Sequence, residues 1–511
     1  MQSTPATRAQ LVRADPRRED RLRVAVYALG GFALIAGPLL AALNPSTDVL
    51  LIAATALVLI APLAVRAVQG RFDPFEPIVI FCLAYGVMFV VRPAAMLVNN
   101  DMTFSIAMQG IDVQDTFRPA LVLGLLGAIG FVGAHSARLG SRIAERIPTP
   151  PEPSLDRILL AGGALWGFGA VLYGLFLSSA AGRRSIVDVI LSGRSFELTQ
   201  AYKASSGYLY NAPFLMVSAT LIFFGVGLAR RSGRLLGLAA FSTATLLLLL
   251  GPSGSRTILF PLLLGLGVIY YTNRGTRPKA ISLLVVTLLA LTASAILLDV
   301  RSSAERQAIG VSAAVQKTLR DPIRIFAPLT KDHDAAELPA LAAALNVVPS
   351  VVDHQWASGT AQDALARPIP RQLWSGKPRQ PKERVIEALW PTLYQYGVAN
   401  PEFSVLLPFY IDGGYPGALV GMMLYGLLAG TLYRWYRRSA DNVGTRVMFA
   451  SALPFIVSAV RDTPVDTLYR LTFVALPVLL IFYFVASPER TARVGVLRPR
   501  RAVRRTLIEP S

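Results

Sequence analysis

"LLLLLGPSGSRTILFPLLLGLG", Leu246 to Gly267, sets two apolar stretches on either side of a short break that holds one full charge, Arg256. Each stretch belongs to a run long and apolar enough to enter the roughly 30 Å of a bilayer's hydrocarbon. Such runs recur along nearly the whole 511-residue chain, which is 53% hydrophobic with a mean hydropathy of +0.49. Only 16% of the residues are charged, against about 25% in a soluble domain. A large soluble core is excluded, because the residues that would fill it are laid out in spanning blocks. The fold class read from this pattern is an all-α polytopic membrane protein.

Twelve spans are expected, near 24–43, 48–68, 75–97, 117–137, 157–179, 208–229, 234–250, 256–272, 280–298, 413–434, 446–460 and 467–486. The run after the arginine-rich start is too long for a signal-peptide core and reads as a retained first span. With that start on the cytoplasmic side, the inner loops are "RAVQGRF", "RLGSRIAER", "RRSGR", "NRGTRPK" and "RWYRRSADNVGTR", followed by the tail "RVGVLRPRRAVRR". All are basic, as the positive-inside rule requires, while "NPSTD", "GPSGSR" and "RDTPVD" carry at most one cation each. Both termini are expected to be cytoplasmic.

The organisation that follows is a basic cytoplasmic tail (1–23), an N-terminal helix bundle (24–298), one large extracytoplasmic loop (299–412), three C-terminal spans (413–486) and a second basic tail (487–511). Within the large loop, Leu338, Leu341, Leu345 and Val348 recur at helical spacing, which predicts a helix lying on the membrane surface. The proline-rich "RPIPRQLWSGKPRQPKE" is extended or turning. GxxxG spacings at Gly163/Gly167, Gly417/Gly421 and Gly426/Gly430 predict close helix packing.

The formal net charge of +19 does not point to nucleic acid, because the cations lie in short connections and tails rather than on a patch. Cys82, the single cysteine, sits in an apolar run and reads as a small buried hydrophobe. His135, His333 and His354 have no metal-ligand spacing, and no Asp-x-Asp is present, so no metal and no cofactor is expected.

Arg256 opposes the topology signal, since a mid-membrane arginine costs about 2.5–3.5 kcal/mol on insertion scales. One reading is a snorkelling side chain. The other is an anion site: Ser255 and the neighbouring glycine leave backbone N–H groups open just before a helix N-terminus. Further cations stand on the same expected side: Arg301 and Arg306, then Arg371, Lys377 and Arg379, then Arg461 and Arg470. A lipid-linked pyrophosphate is an anion suited to that side, and guanidinium forks match its oxygens. Trp356, Trp374 and Trp390, with Tyr394 and Tyr396, can stack on sugar rings or form an interfacial belt.

"SGTAQDALARPIPRQLWSGKP" (358–378), "PFYIDGGYPG" (408–417) and "GSRT" (254–257) resemble, in type and order, segments of the Wzy-type O-antigen or oligosaccharide repeat-unit polymerases. The resemblance covers about 250–435. Two positions depart from the pattern: Pro408 stands where that family often has Glu, and Asp412 where it often has Asn. The resemblance implies a GT-C-like glycosyltransferase that joins undecaprenyl-pyrophosphate-linked oligosaccharides at the outer face of the plasma (inner) membrane. It also implies a flippase and a chain-length regulator as partners. In that scheme Arg256, Arg371, Lys377 and Arg379 supply positive charge, with Ser255 beside them and Arg301 guiding a second pyrophosphate. Trp374 and Tyr410 contact substrate. His354 and Asp353 are the first candidates for a general base, with Glu402 behind them. An O-antigen ligase-like transferase needs the same cations and stays open beside the polymerase, while a flippase or other transporter of the same lipids and a transferase using a monosaccharide phospholipid fit less well. The last would need a substantial first outer loop, and "NPSTD" is only a few residues long.

Overall fold

The computed structural model describes residues 46–106, 109–181, 208–251, 257–279, 335–369, 376–396 and 401–485. It also describes isolated positions within 185–190, 281–295 and 316–325 and at 373–374, and the backbone alone at 256 and 396. Among the described residues nine helices are long and apolar enough to cross a membrane. The protein is an all-α polytopic membrane protein, with one small hairpin among the described residues.

Helix α1 (Thr47–Val68) starts on Ser46, whose side chain accepts the Val49 N–H, and ends with Arg66 in its last turn, where the helix dipole favours a cation. Helix α2 (Pro77–Asn99) widens into a π turn at Val87–Val91. Pro93 follows directly and lacks the N–H that a regular ladder would use. Strands β1 (Thr103–Ile106) and β2 (Gln109–Asp112) form an antiparallel hairpin with Phe104 opposite Ile111. Helix α3 (Gln114–Ser136) returns through the bundle, and the short amphipathic α4 (Leu139–Arg146) follows it.

Helices α5 (Leu155–Ala181), α6 (Pro213–Arg230), α7 (Gly233–Leu250) and α8 (Arg256–Arg274) continue the bundle. The turn between α6 and α7 is tight: Arg231 takes a left-handed φ of 52° and Ser232 caps α7. α6 is the central helix, buried on nearly every face by α5, α7, α8 and the two C-terminal spans. Polar side chains tie it in place, with the Trp166 Nε1–H donating to Ser242 at 2.6 Å and Thr220 bonded to the same hydroxyl.

The large loop contributes α9 (Glu337–Leu345), α10 (Ser358–Ala366), α11 (Pro381–Leu389) and α12 (Pro391–Tyr396). Helix α13 (Leu406–Arg438) then precedes α14 (Val443–Arg461) and α15 (Pro464–Val485). The expected span limits agree with these helices to within a few residues except at α13, where the chain is already helical at Leu406. The expected span at 24–43 lies outside the described residues, and only isolated positions of 280–298 are described.

α9 does not lie on a surface. Leu338 and Ala340 through Ala344 are fully buried between α3, the hairpin and α11. Its alanines leave no wet face to balance an apolar one, so the spacing that suggested an interfacial helix marks a buried one instead. The glycine pairs divide as well. A Cβ at Gly426 would come 2.2 Å from the Phe131 carbonyl and one at Gly430 2.7 Å from that of His135, so α13 and α3 touch backbone to backbone. Nothing lies within 4 Å of such an atom at Gly163 or Gly167, which therefore pack against no described part of this chain.

The relationship that matters most lies inside α13. A Cβ on Gly127 of α3 would meet both Leu406 at 2.8 Å and Met422 at 3.5 Å. On a straight helix those two residues would stand about 24 Å apart, at about 1.5 Å per residue. The helix has folded back on itself, with the Phe409 ring pressed onto Gly421. Leu406–Asp412 is a re-entrant arm. Protein buries it on nearly all sides, as irregular backbone within a membrane protein requires.

Candidate functional site

The fold-back is made by two glycines. Gly413 is extended (φ −174°, ψ 26°) and Gly414 has φ 61° and ψ −150°, a conformation that only glycine adopts at little cost. Leaving the helix frees backbone carbonyls, and the large loop takes them. The Gln355 N–H donates to the Ile411 carbonyl at 2.8 Å and the Ala357 N–H to that of Asp412 at 2.7 Å. The Asp412 carboxylate accepts from the Gly359 N–H at 3.0 Å and the Thr360 N–H at 3.1 Å. α10 has no capping side chain of its own at Ala357, so Asp412 caps it from across the break. Either Asp or Asn can accept these bonds, and the carboxylate adds a favourable term with the helix dipole.

His354 is held by the same break. Its Nδ1 lies 3.3 Å from the Ile411 carbonyl. A carbonyl only accepts, so Nδ1 carries the hydrogen, and in the neutral ring Nε2 keeps its lone pair. The ring stands edge-on to Tyr410 at 5.3 Å and tilted to Trp356 at 6.0 Å, while Tyr410 meets Tyr415 at 5.5 Å. Trp356 and Ala357 have φ values of 46° and 66°. Left-handed backbone costs an L-residue about 1–2 kcal/mol, and the bonds to Ile411 and Asp412 hold it there.

A second constellation begins at the far end of α10, nine residues or about 13 Å along the helix. Arg367 pairs with Asp466 at the start of α15 and lies 3.7 Å from Asp363. Lys382 of α11 reaches Asp466 at 2.7 Å and Glu402 at 3.5 Å. Arg470 pairs with Asp462, and Arg461 lies 3.7 Å from Glu337. Four cations face five carboxylates, so the cluster is close to neutral and is no ready-made cradle for a diphosphate. Such pairs contribute little against well-packed apolar residues, but losing one partner leaves a buried charge at a cost of about 3–5 kcal/mol.

Burial raises the Glu402 carboxyl, but Lys382, Arg470 and Arg461 more than offset it and hold it below the usual range. Burial pushes Asp363 up, with Arg367 and Lys382 opposing only in part. Asp462 is likewise raised by burial, against the pull of Arg470. Between α10 and this cluster a cavity of about 10 Å³, room for one water, is lined by Thr360, Asp363, Gln380, Lys382, Pro408 and Thr463 among others.

The expected site residues fall into several groups. His354 and Tyr410 are brought together at the break. Asp353 is exposed and lines a separate cleft. Glu402 is not placed as a base, because its carboxylate is buried and held by Lys382. The Lys377 ammonium donates to the carbonyls of Arg367 and Ile369, at 3.3 and 2.9 Å, and staples that turn. Arg379 pairs with Glu387 at the surface. Trp374 is half-exposed beside Lys377, whereas Trp390 is 1% exposed and set edge-on to Phe104, so it cannot stack on a sugar. Ser255, Arg301, Arg371 and the side chain of Arg256 lie outside the described residues.

The sequence reading missed Asp363, Arg367, Lys382 and Asp466. One signal was present: Asp462 and Asp466 flank "TPV" at a helix start within an otherwise apolar region, and carboxylates there need partners. No protein family matches the chain, and no curated protein or solved structure matches it.

Proposed function

We propose that the protein is a membrane glycosyltransferase. It would join polyprenyl-pyrophosphate-linked oligosaccharide repeat units at the outer face of the plasma membrane and release polyprenyl pyrophosphate. The observation that carries this reading is His354, oriented through Nδ1 by the Ile411 carbonyl at a glycine-broken helix, with its ring beside those of Tyr410 and Trp356. A sugar hydroxyl at Nε2 gives up its proton as its oxygen attacks the anomeric carbon of the second substrate. The bond from that carbon to the pyrophosphate oxygen breaks, and its electrons leave with the diphosphate. The leaving group is already activated, so the protein's main work is alignment and charge stabilisation.

The order of the three resembling segments supports the same reading, because two of them meet in space. "PFYIDGGYPG" supplies the break and Asp412, and "SGTAQDALARPIPRQLWSGKP" supplies the helix that Asp412 caps. Arg256 and Arg371 are the cations proposed to meet the diphosphate. A bilayer as immediate partner follows from the nine spans. Chain-length and flippase partners belong to the proposal.

The test is the lipid extract of a deletion strain, run beside a strain carrying Arg256→Ala. A polymerase predicts accumulation of single-unit lipid intermediates in both. Intact polymer with an undecorated acceptor would point to ligation, and unchanged lipids and polymer in both would end the reading.

A further inference from the structure

We propose that the cleft between residues 351–355 and α11 is a carbohydrate-binding groove with the Trp356 indole at its edge. Val351, Val352, Asp353 and Gln355 line one side, and Arg384, Glu387 and Ala388 the other, around about 370 Å³. That volume falls within the roughly 300–1,000 Å³ of small-ligand sites.

The lining selects the ligand by its chemistry. Two carboxylates, Asp353 and Glu387, face one guanidinium, Arg384. Arg379 pairs with Glu387 from the surface, so the formal charges of the lining and its ion-pair partner sum to zero. A phosphate or diphosphate finds no excess positive charge here, and an acyl chain would strip water from four polar side chains without replacing it. A sugar ring suits the mixture: its hydroxyls both donate and accept, matching carboxylate, amide and guanidinium, and its C–H faces suit Val351, Val352 and Ala388.

Trp356 supplies the stacking face. It is 77% exposed, directly after Gln355, on a backbone held left-handed by the two bonds to the α13 break. Asp353 and Gln355 line the cleft while His354 meets Tyr410. A glycan lying in the groove and passing over Trp356 would come to the His354 ring, whose centroid lies 6.0 Å from that of the indole. The inference rests on the glycosyltransferase reading for the identity of that glycan, which would be the acceptor repeat unit, but not for the existence of the groove.

Saturation-transfer NMR on the full chain in nanodiscs, with a panel of methyl glycosides of common hexoses, deoxyhexoses and N-acetylhexosamines as probes, tests it. Transfer to at least one glycoside is expected in the wild type, retained in Trp356→Phe and in a Leu365→Ala surface control. It should fall to the protein-free level in Trp356→Ala and in the pair Asp353→Asn, Arg384→Gln. No transfer in the wild type, or undiminished transfer in both altered proteins, overturns the groove. Glycoside binding lost in Trp356→Ala, in a protein whose deletion leaves the lipid profile unchanged, keeps the groove and removes the polymerase. Single-unit accumulation on deletion with undiminished glycoside transfer in both altered proteins does the reverse.

Discussion

The Asp412 Oδ1 lies 3.0 Å from the backbone nitrogen of Gly359, 53 positions earlier in the chain, so the folded-back arm of α13 caps a helix of the large loop. Asp412→Ala should lower stability by about 0.5–2 kcal/mol, the usual range for a lost cap, and Asp412→Asn should keep most of it. Thermal unfolding of the purified protein in one detergent would order the three. Equal midpoints for all of them would mean that the cap carries no load.

His354→Gln should leave expression and unfolding unchanged, because the amide can still donate to the Ile411 carbonyl. Polymerisation of lipid-linked repeat units should fall about 10²–10⁴-fold, the range for a lost general base. A single-turnover assay with purified substrate measures it, and wild-type rates would remove His354 from the chemistry.

Lys382→Met should destabilise by about 3–5 kcal/mol, because it takes the ion-pair partner from the buried Glu402 carboxylate, whereas Asp466→Asn should cost less, since Lys382 keeps Glu402 and Arg367 keeps Asp363. The double variant should cost less than the sum of the two, since it removes both. Additive losses in a double-mutant cycle would show that the contact at 2.7 Å carries no coupling.

Glu402 gives the protein an acid-sensitive element. Its folded carboxyl is held below the usual range by Lys382, Arg470 and Arg461, against the opposing pull of burial. Its stabilising contribution is therefore complete above the unfolded value of about 4.3 and is lost as pH falls through the folded value. The raised Asp363 carboxyl works the other way, taking up its proton more readily in the folded state as pH falls. Unfolding midpoints of the wild type should drop on acidification below about pH 4, and Glu402→Gln should flatten that drop while lowering stability at neutral pH.

Gly414→Ala should be poorly tolerated despite open space for the methyl group, whose nearest neighbours are Pro416 and His354 at about 4 Å. The obstacle is the backbone, since φ 61° with ψ −150° costs an L-residue about 1–3 kcal/mol. Gly413→Ala, at an extended φ, should be milder. Comparing the yields of folded protein separates strain from crowding.

The sequence by itself determined that this chain crosses a membrane many times, and it placed most helix limits to within a few residues, as at Leu155–Ala181 against the expected 157–179. It also marked His354 and the close glycines of α13. Those properties are local, because hydrophobic length, flanking charge and small-residue spacing can be read along a few turns of one helix. Only the tertiary structure decided that Leu406 folds back beside Met422, that α9 is buried, and that Lys382 reaches Asp466, 84 positions away. In a membrane protein, apolar residues face lipid and protein alike, so hydropathy cannot say which face of α9 is covered or which helix doubles back. Partners for buried charges are likewise chosen by contacts between distant segments, which no local pattern records.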